Sequence, residues 1–134
     1  MSKTDPASET ELLICVKCRA QGQDPSVDGT RPGRRRFDSL ARTAMPQGVT
    51  LRAVECLQNC DHGCTAALRG GNRWTYVYGN LDGASGTDAL IDGAARYHAT
   101  QDGLIPWRER PEHFKRNCVA RIPPLDFTDP LAET

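Results

Sequence analysis

The sequence predicts a single α/β domain in which helices pack on one small sheet. Segments with the patterns of strands and helices follow one another in the order strand, helix, strand, strand, strand, helix. No internal repeat or long linker divides the chain, and 134 residues suit one domain with one modest core. Such an order is typical of a mixed sheet that carries its helices on a face.

The first three elements lie in the N-terminal half of the chain. The apolar run ELLICV, residues 11–16, predicts a strand. After the turn-rich segment QGQDPSVDGTRPG, the apolar residues of RRRFDSLARTAM fall on one helix face, and PQG ends that helix. These apolar residues are Phe37, Leu40, Ala41 and Ala44. The segment GVTLRAVE alternates Val49, Leu51 and Ala53 and predicts the second strand.

The other three elements are a hairpin and a helix. CTAALR and RWTYVYG flank GGN, which predicts a hairpin with Trp74, Tyr76 and Tyr78 on one face. GTDALIDGAARYHAT predicts a helix, and Ser85 and Asp88 have the spacing of a capping box at its start. The predicted apolar stripe of this helix is Leu90, Ile91, Ala94, Ala95 and His98.

These elements set the expected organisation of the chain. We expect residues 1–10 to be disordered and residues 11–122 to form the domain. Residues 123–134 form a Pro-rich tail, because proline interrupts helices and central strands.

Charge and hydropathy exclude several classes of protein. Lys and Arg number 17, as do Asp and Glu, so the balanced charge favours neither nucleic acid nor an anionic membrane as partner. No apolar run approaches the roughly 20 residues that span a bilayer. The polar start MSKTDPASET is unlike a signal peptide. We therefore expect a cytoplasmic protein, in which six reduced cysteines favour metal binding or redox chemistry over disulfides.

Two pairs of cysteines follow predicted strands. CVKC places Cys15 and Cys18 at the end of the first strand, and CLQNC places Cys56 and Cys60 after the second. A tight turn lets two thiolates converge on one ion. If the two strands are parallel neighbours, both loops emerge at the same edge of the sheet. The sequence therefore predicts a site formed by these four thiols.

The residue pattern leaves several uses of the four thiols open. Four thiolates can hold an iron–sulfur cluster, which is the use we favour. They can also hold a structural zinc ion, which is the main alternative. Cys15 and Cys18 alone have the spacing of a dithiol oxidoreductase. Buried cysteines are also common as small apolar side chains. We find no Ser-His-Asp arrangement, phosphate loop or paired carboxylates, so an electron carrier or metal-binding protein is favoured over an enzyme.

The other cysteines and the histidines are weaker candidates for ligands, and most of them have a simple structural explanation. Cys64 is expected to be a buried residue, or a substitute ligand if Cys18 lies too close to Cys15. Cys118 is expected to be structural or incidental. His62 is a lesser candidate ligand, since imidazole replaces thiolate in some clusters. His98 is expected to be a hydrogen-bonded helix residue rather than a ligand.

Two basic segments have both a structural and a functional interpretation. RPGRRR, residues 31–36, is expected to be a solvated face, and its alternative is a docking patch for an acidic redox partner. IPWRERPEHF is expected to pack over the sheet, and its alternative is a site for a partner or a small anion.

From Cys56 onward the chain resembles the thioredoxin-like [2Fe–2S] ferredoxins and the related cluster-bearing subunit of respiratory NADH dehydrogenase. The segments that carry the resemblance are ECLQNC, DHGCTAAL, RWTYVYGNL and TDALIDGAARYH, together with LLICV. The resemblance implies a thioredoxin-like fold, β-α-β-β-β-α, and a [2Fe–2S] cluster as cofactor. These ferredoxins have their second ligand further along the loop, where this chain offers only Cys18.

The whole chain resembles an uncharacterised bacterial family of predicted metal-binding proteins, through CVKCR, CLQNCDHGCTAAL, YHATQDGLIPWRERP and ARIPPL. This resemblance implies metal binding and a link to cobalamin or cobalt metabolism. We expect a one-electron carrier with a [2Fe–2S] cluster on Cys15, Cys18, Cys56 and Cys60. It would serve a redox partner protein, with a homodimer as one arrangement. The alternatives are a zinc- or cobalt-binding module or metallochaperone, and a dithiol oxidoreductase.

Overall fold

A computed structural model of the protein describes residues 9–16, 32–55, 57, 64–81 and 86–131. It contains five strands: β1 Thr10–Cys15, β2 Val49–Val54, β3 Ala66–Arg69, β4 Thr75–Tyr78 and β5 Cys118–Ile122. Three α-helices accompany them: α1 Pro32–Ala41, α2 Gly86–Ala99 and α3 Glu112–Asn117. A three-residue 3₁₀ turn, Trp107–Glu109, precedes α3. Among the described helices, none has the length and apolar character needed to cross a membrane.

The five strands form one mixed sheet in the order β2-β1-β3-β4-β5. β1 and β2 run parallel, with Cys15 opposite Val54, whereas β3 runs antiparallel to β1. β4 and β5 continue the sheet in antiparallel fashion. The β4–β5 ladder is irregular, because Tyr78 pairs with Cys118 while the preceding Val77 pairs with Ala120. Val119 is thus an extra residue in β5, as in a β-bulge.

One hydrophobic core lies between the sheet and the described helices. Alternate residues of β1 and β3, such as Leu12 and Leu68, face it together with Tyr76 and Tyr78 of β4. The helices contribute Leu40 of α1, Leu90, Ala94 and Tyr97 of α2, and Phe114 of α3. All three helices therefore pack on the same face of the sheet.

The predicted α/β class and the order of its first six elements are confirmed. Two details of the predicted helices were wrong. α1 ends at Ala41, so Ala44 lies beyond the helix. In α2 the buried stripe is centred on Leu90, Ala94 and Tyr97, and Ala95 is exposed. The prediction placed the buried stripe on a neighbouring face of the helix because it counted only apolar residues. Tyr97 is nevertheless buried, since its hydroxyl donates a hydrogen bond to the carbonyl of Trp74.

Two elements were not predicted from the sequence. The segment after α2 forms the short helix α3, which inserts Phe114 against the Tyr78 ring at 3.9 Å between centroids. β5 adds an edge strand just before the Pro-rich tail. The tail itself contacts the domain, because the Phe127 ring meets Trp74 edge-on at 5.4 Å. At the other end, β1 begins at Thr10, one residue inside the segment predicted to be disordered.

The hydroxyls of two buried tyrosines have different surroundings. Tyr97 donates a 2.6 Å hydrogen bond to the carbonyl of Trp74, which ties α2 to the start of β4. The hydroxyl of Tyr76 is buried without a hydrogen-bond partner among the described residues. A buried polar group without a partner lowers stability, whereas a satisfied one contributes to it.

We therefore expect opposite effects from removing each hydroxyl. Tyr97→Phe lowers the free energy of unfolding by about 1 kcal/mol, whereas Tyr76→Phe raises it by about 1 kcal/mol. Urea unfolding followed by circular dichroism measures both, and each variant is the matched control of the other. Equal losses in the two variants would contradict the assignment.

Candidate functional site

The end of β1 brings Cys15 beside the end of β2. The two strands are parallel neighbours, as the predicted convergence of the cysteine loops requires, and Cys15 lies opposite Val54 in their register. Val16 donates a 2.9 Å hydrogen bond to the carbonyl of Val54, so the pairing continues one residue past β1. The thiol of Cys15 lies 3.5 Å from the carbonyl oxygen of Glu55, the residue immediately before Cys56 in the chain.

Cys15 is fully buried on the face of the sheet opposite the helices. Leu12 and Ile14 of β1 face the helix-side core, so alternation along the strand turns Leu13 and Cys15 to the other face. Leu13 and its β3 partner Ala67 are buried there as well. The Cys15 backbone N–H donates to the carbonyl of Thr65 at 3.0 Å, which holds the end of β1 against the chain entering β3.

Cys64 has a different environment from Cys15. It is buried and belongs to the helix-side core, together with Leu81 and Ala66. Its carbonyl accepts a 3.1 Å hydrogen bond from the N–H of Leu81, which fixes the chain where it enters β3. The predicted burial of Cys64 is confirmed, and its role as a substitute ligand stays a prediction.

The other predicted ligands lie outside the described residues. Cys18, Cys56 and Cys60 are in this category, as is His62. Within the ranges that the structure describes, no three His, Cys, Asp or Glu side chains are grouped as metal ligands. Of the four predicted ligands, Cys15 is therefore the one whose surroundings are described.

Cys118 lies at the start of β5 and is exposed. Burial of part of the side chain raises the pKa of its thiol, an effect that Arg110, a backbone hydrogen bond and Arg121 oppose. A raised thiol pKa disfavours the thiolate that binds metal or attacks disulfides. Because it is exposed on β5, Cys118 is a suitable control for the buried cysteines.

The basic segment at the start of α1 is partly structural. Arg36 donates to the carbonyl of Leu81, with its Nη2 at 2.9 Å, and to the hydroxyl of Thr87 in α2. Arg34 is exposed and forms an ion pair at 3.0 Å with Asp38, one helical turn away. The segment therefore combines a link between α1 and α2 with the expected solvated face, and its docking role stays a prediction.

A cavity lies at the opposite end of β1 from Cys15. It encloses about 630 Å³ between the β3–β4 hairpin and the tail, and Glu11, Arg69 and Arg73 are among its lining residues. Glu11 already accepts bonds from Arg69 at 2.8 Å and from Arg52 at 3.2 Å. Arg73 donates to the carbonyls of Thr100 and His98. These three charged residues of the lining are thus engaged within the fold.

His98 is hydrogen-bonded, as predicted. Its Nδ1 lies 2.8 Å from the hydroxyl of Thr10, and its ring packs so closely on Gly48 that a Cβ there would approach Nε2 to 2.3 Å. This contact joins α2 to the starts of β1 and β2. Burial, and secondarily the charge of Arg73, lowers the pKa of His98 below its usual value of 6.5.

A lowered pKa of His98 makes stability depend on pH. As the pH falls below 6.5, the unfolded chain takes up the proton before the folded one does, so the free energy of unfolding decreases. Above this range the contribution is fully present. We expect His98→Gln to flatten the decrease between pH 6.5 and the lower pKa of the folded state. Urea unfolding across this range measures it, and an unchanged pH profile in the variant would contradict the assignment.

Comparisons with known proteins identify a family. No curated protein and no solved structure matches the chain. A family model described as "Protein of unknown function (DUF1636)" matches residues 12–124. The matched range begins within β1 and ends after β5, so it takes in all five described strands except the first two residues of β1, and it contains all the predicted ligands. The chain therefore belongs to the DUF1636 family of proteins of unknown function.

Proposed function

We propose that the protein is a one-electron carrier that binds a [2Fe–2S] cluster through Cys15, Cys18, Cys56 and Cys60. The observation that carries the proposal is the contact between the Cys15 thiol and the Glu55 carbonyl at 3.5 Å. It joins the end of β1 to the residue that precedes Cys56, so the two cysteine motifs start from neighbouring points of the sheet. Short loops are then sufficient for the four thiols to converge.

The donor chemistry and surroundings of Cys15 suit such a cluster. Thiolates are the usual ligands of [2Fe–2S] clusters, and burial in an apolar environment influences the reduction potential. Cys15 is fully buried beside Leu13 and Ala67. Its backbone N–H donates a hydrogen bond to the carbonyl of Thr65, which fixes the position of the end of the strand that carries the ligand. A ligating thiolate has no proton, so ligation replaces the bond to Glu55.

The strand order supports a thioredoxin-like assignment for the fold. In the thioredoxin-like arrangement that we propose, the parallel pair β1 and β2 is followed by the antiparallel hairpin β3–β4. The spatial order of the strands is β2-β1-β3-β4, and α1 and α2 lie on one face. α3 and β5 are additions at the β4 edge. The proposed assignment rests on this order and on the sequence resemblance to thioredoxin-like ferredoxins.

A cluster of this type supplies one-electron oxidation and reduction. The chain binds it through thiolates and excludes water from Cys15 by burial. One electron would arrive from a reduced partner and leave to an oxidised one, with no substrate bond formed or broken. The sequence resemblance favours a partner in cobalamin or cobalt metabolism.

Metal and sulfide analysis of anaerobically purified protein tests the proposal. We expect two irons and two sulfides per chain, a red-brown colour and a one-electron reduction by dithionite. Colourless protein with stoichiometric zinc and no iron, even after anaerobic reconstitution with iron and sulfide, would reject the cluster. That outcome would favour the zinc-binding alternative, since four thiolates also suit tetrahedral zinc.

A dithiol oxidoreductase remains a second candidate function, supported by the C-x-x-C spacing of Cys15 and Cys18. The burial of Cys15 weighs against it, because a redox-active thiol needs access to its substrate. Reduction of insulin disulfides by metal-free protein, lost in Cys15→Ser, would support this candidate over the carrier.

A further inference from the structure

A line of alternating cationic and aromatic side chains runs beside β4 and β5. We call it the cationic strip and define it by Arg110, Lys115, Arg121, Trp74 and Trp107. The guanidinium carbon of Arg121 lies 4.6 Å from the ring centroid of Trp74. At the other end, the guanidinium carbon of Arg110 and the Nζ of Lys115 lie 5.4 Å and 5.8 Å from the ring centroid of Trp107.

The positive charge of the strip is not neutralised within the described part of the chain. No described carboxylate pairs with Arg110, Lys115 or Arg121. The nearby acidic residues have other partners, since Glu112 pairs with Arg116 at 2.7 Å and Glu109 lies 4.0 Å from Arg96. Three adjacent uncompensated cations attract an acidic surface.

Exposed apolar side chains are concentrated in the same part of the chain as the strip. Every large hydrophobic residue that is exposed in the described ranges lies between positions 107 and 131: Trp107, Val119, Ile122, Leu125, Phe127 and Leu131. Trp107 is 58% exposed although two cations approach its ring. Exposed aromatic residues combined with arginine are typical of the centres of protein–protein interfaces.

We propose that the cationic strip binds an acidic face of a partner protein. The observations favour a protein over nucleic acid, because the cations already lie against the tryptophan rings on which bases would stack. The strip thus differs from the basic segment of α1, whose Arg34 is paired and whose Arg36 is engaged in the fold.

The strip runs along the sheet rather than toward Cys15. Arg121 is linked through the register of β4 and β3 to Leu12, three residues before Cys15, so Arg121 and Trp74 lie toward the opposite end of the sheet from Cys15. The binding proposed for the strip does not depend on any metal.

Fluorescence anisotropy with labelled poly-L-glutamate tests the inference in low-salt buffer, whatever metal the protein contains. We expect binding that weakens as salt is added, because exposed charges are screened. The triple variant Arg110→Gln, Lys115→Gln, Arg121→Gln should bind at least about ten-fold more weakly, as the loss of contacts to several charges implies. The matched control is Arg34→Gln, Arg96→Gln, Arg116→Gln, which removes three carboxylate-paired arginines and the same net charge.

Two further variants keep the test valid if the first triple variant is unstable. Arg110 also donates a 2.8 Å hydrogen bond to the carbonyl of Ile105, so Lys115→Gln with Arg121→Gln spares that contact. Trp107→Ala removes the exposed ring and should weaken binding with no change in charge. Equal losses in the strip and control variants, or no binding by the unaltered protein, would overturn the proposal. Tighter binding of a labelled oligothymidine than of poly-L-glutamate would overturn it in favour of nucleic acid.

Discussion

Cys15→Ala is expected to abolish the [2Fe–2S] cluster, so that purified protein loses nearly all its bound iron and sulfide and its visible absorption. The thiolate of Cys15 is a proposed ligand, and its side chain is fully buried. Loss of one thiolate leaves one iron with an incomplete coordination shell. Among the described residues, no cluster of His, Cys, Asp or Glu side chains is available to replace the missing ligand. Iron and sulfide assays on anaerobic protein, with absorption spectra, provide the measurement.

Cys118→Ala is the matched control for this experiment. Cys118 is exposed on β5, and its variant should keep the full iron and sulfide content. Circular dichroism distinguishes loss of the cluster from loss of the fold. Unchanged iron in Cys15→Ala, with a normal fold, would reject Cys15 as a ligand.

Cys64→Ala distinguishes a packing role from a ligand role for Cys64. Its side chain belongs to the helix-side core, whereas Cys15 lies on the other face of the sheet. If Cys64 only packs, the variant keeps its iron and loses about 1 kcal/mol of stability, since a small buried group is removed. Loss of iron comparable to that in Cys15→Ala would instead identify Cys64 as the substitute ligand.

Phe114→Ala is expected to lower the free energy of unfolding by about 3–5 kcal/mol, the usual cost of truncating a buried phenylalanine. The Phe114 ring is 1% exposed and stacks on Tyr78 at an interplanar angle of 15°. It also fills the space above Gly93 of α2, where a Cβ would approach the ring to 2.1 Å. Phe114 thus anchors α3 to both the sheet and α2. Urea unfolding measures the loss.

A double-mutant cycle isolates the contact between Phe114 and Gly93. In the unaltered protein, Gly93→Ala should cost about 1–3 kcal/mol because the added methyl overpacks the core. With Phe114→Ala already present, the same change should stabilise by about 0.5–1 kcal/mol, since alanine favours a helix more than glycine does. Additive effects of the two substitutions would contradict the contact.

Local sequence patterns were sufficient for the first six elements. The hairpin is an example, because the GGN turn lies between strands whose aromatic residues alternate. Trp74, Tyr76 and Tyr78 do face one side, as this alternation predicts. The stripe of α2 was less accurately predicted, since Tyr97 has a polar group that is acceptable in the core only when the Trp74 carbonyl accepts its proton. That partner is far away in the chain.

Elements at the C-terminal end depended on distant contacts. The prolines at positions 123 and 124 correctly mark the end of β5, but the exposed residues Cys118–Ile122 have no strand-like core face of their own. β5 forms because it pairs with β4. Likewise, the short helix α3 is stabilised because Phe114 packs between Tyr78 and Gly93.

The sequence by itself determined the α/β class, the order of the first six elements and the position of Cys15 at the end of a strand. These features are encoded by the spacing of neighbouring apolar residues and by turn-forming residues, which act over a few positions. Only the tertiary structure decided that β1 and β2 are parallel neighbours and that Cys15 and Cys64 face opposite sides of the sheet. It also decided that Arg110 and Lys115 lie against Trp107 and that Arg121 lies against Trp74. Such contacts join residues distant in the chain, and their free energy depends on the packing of the whole domain.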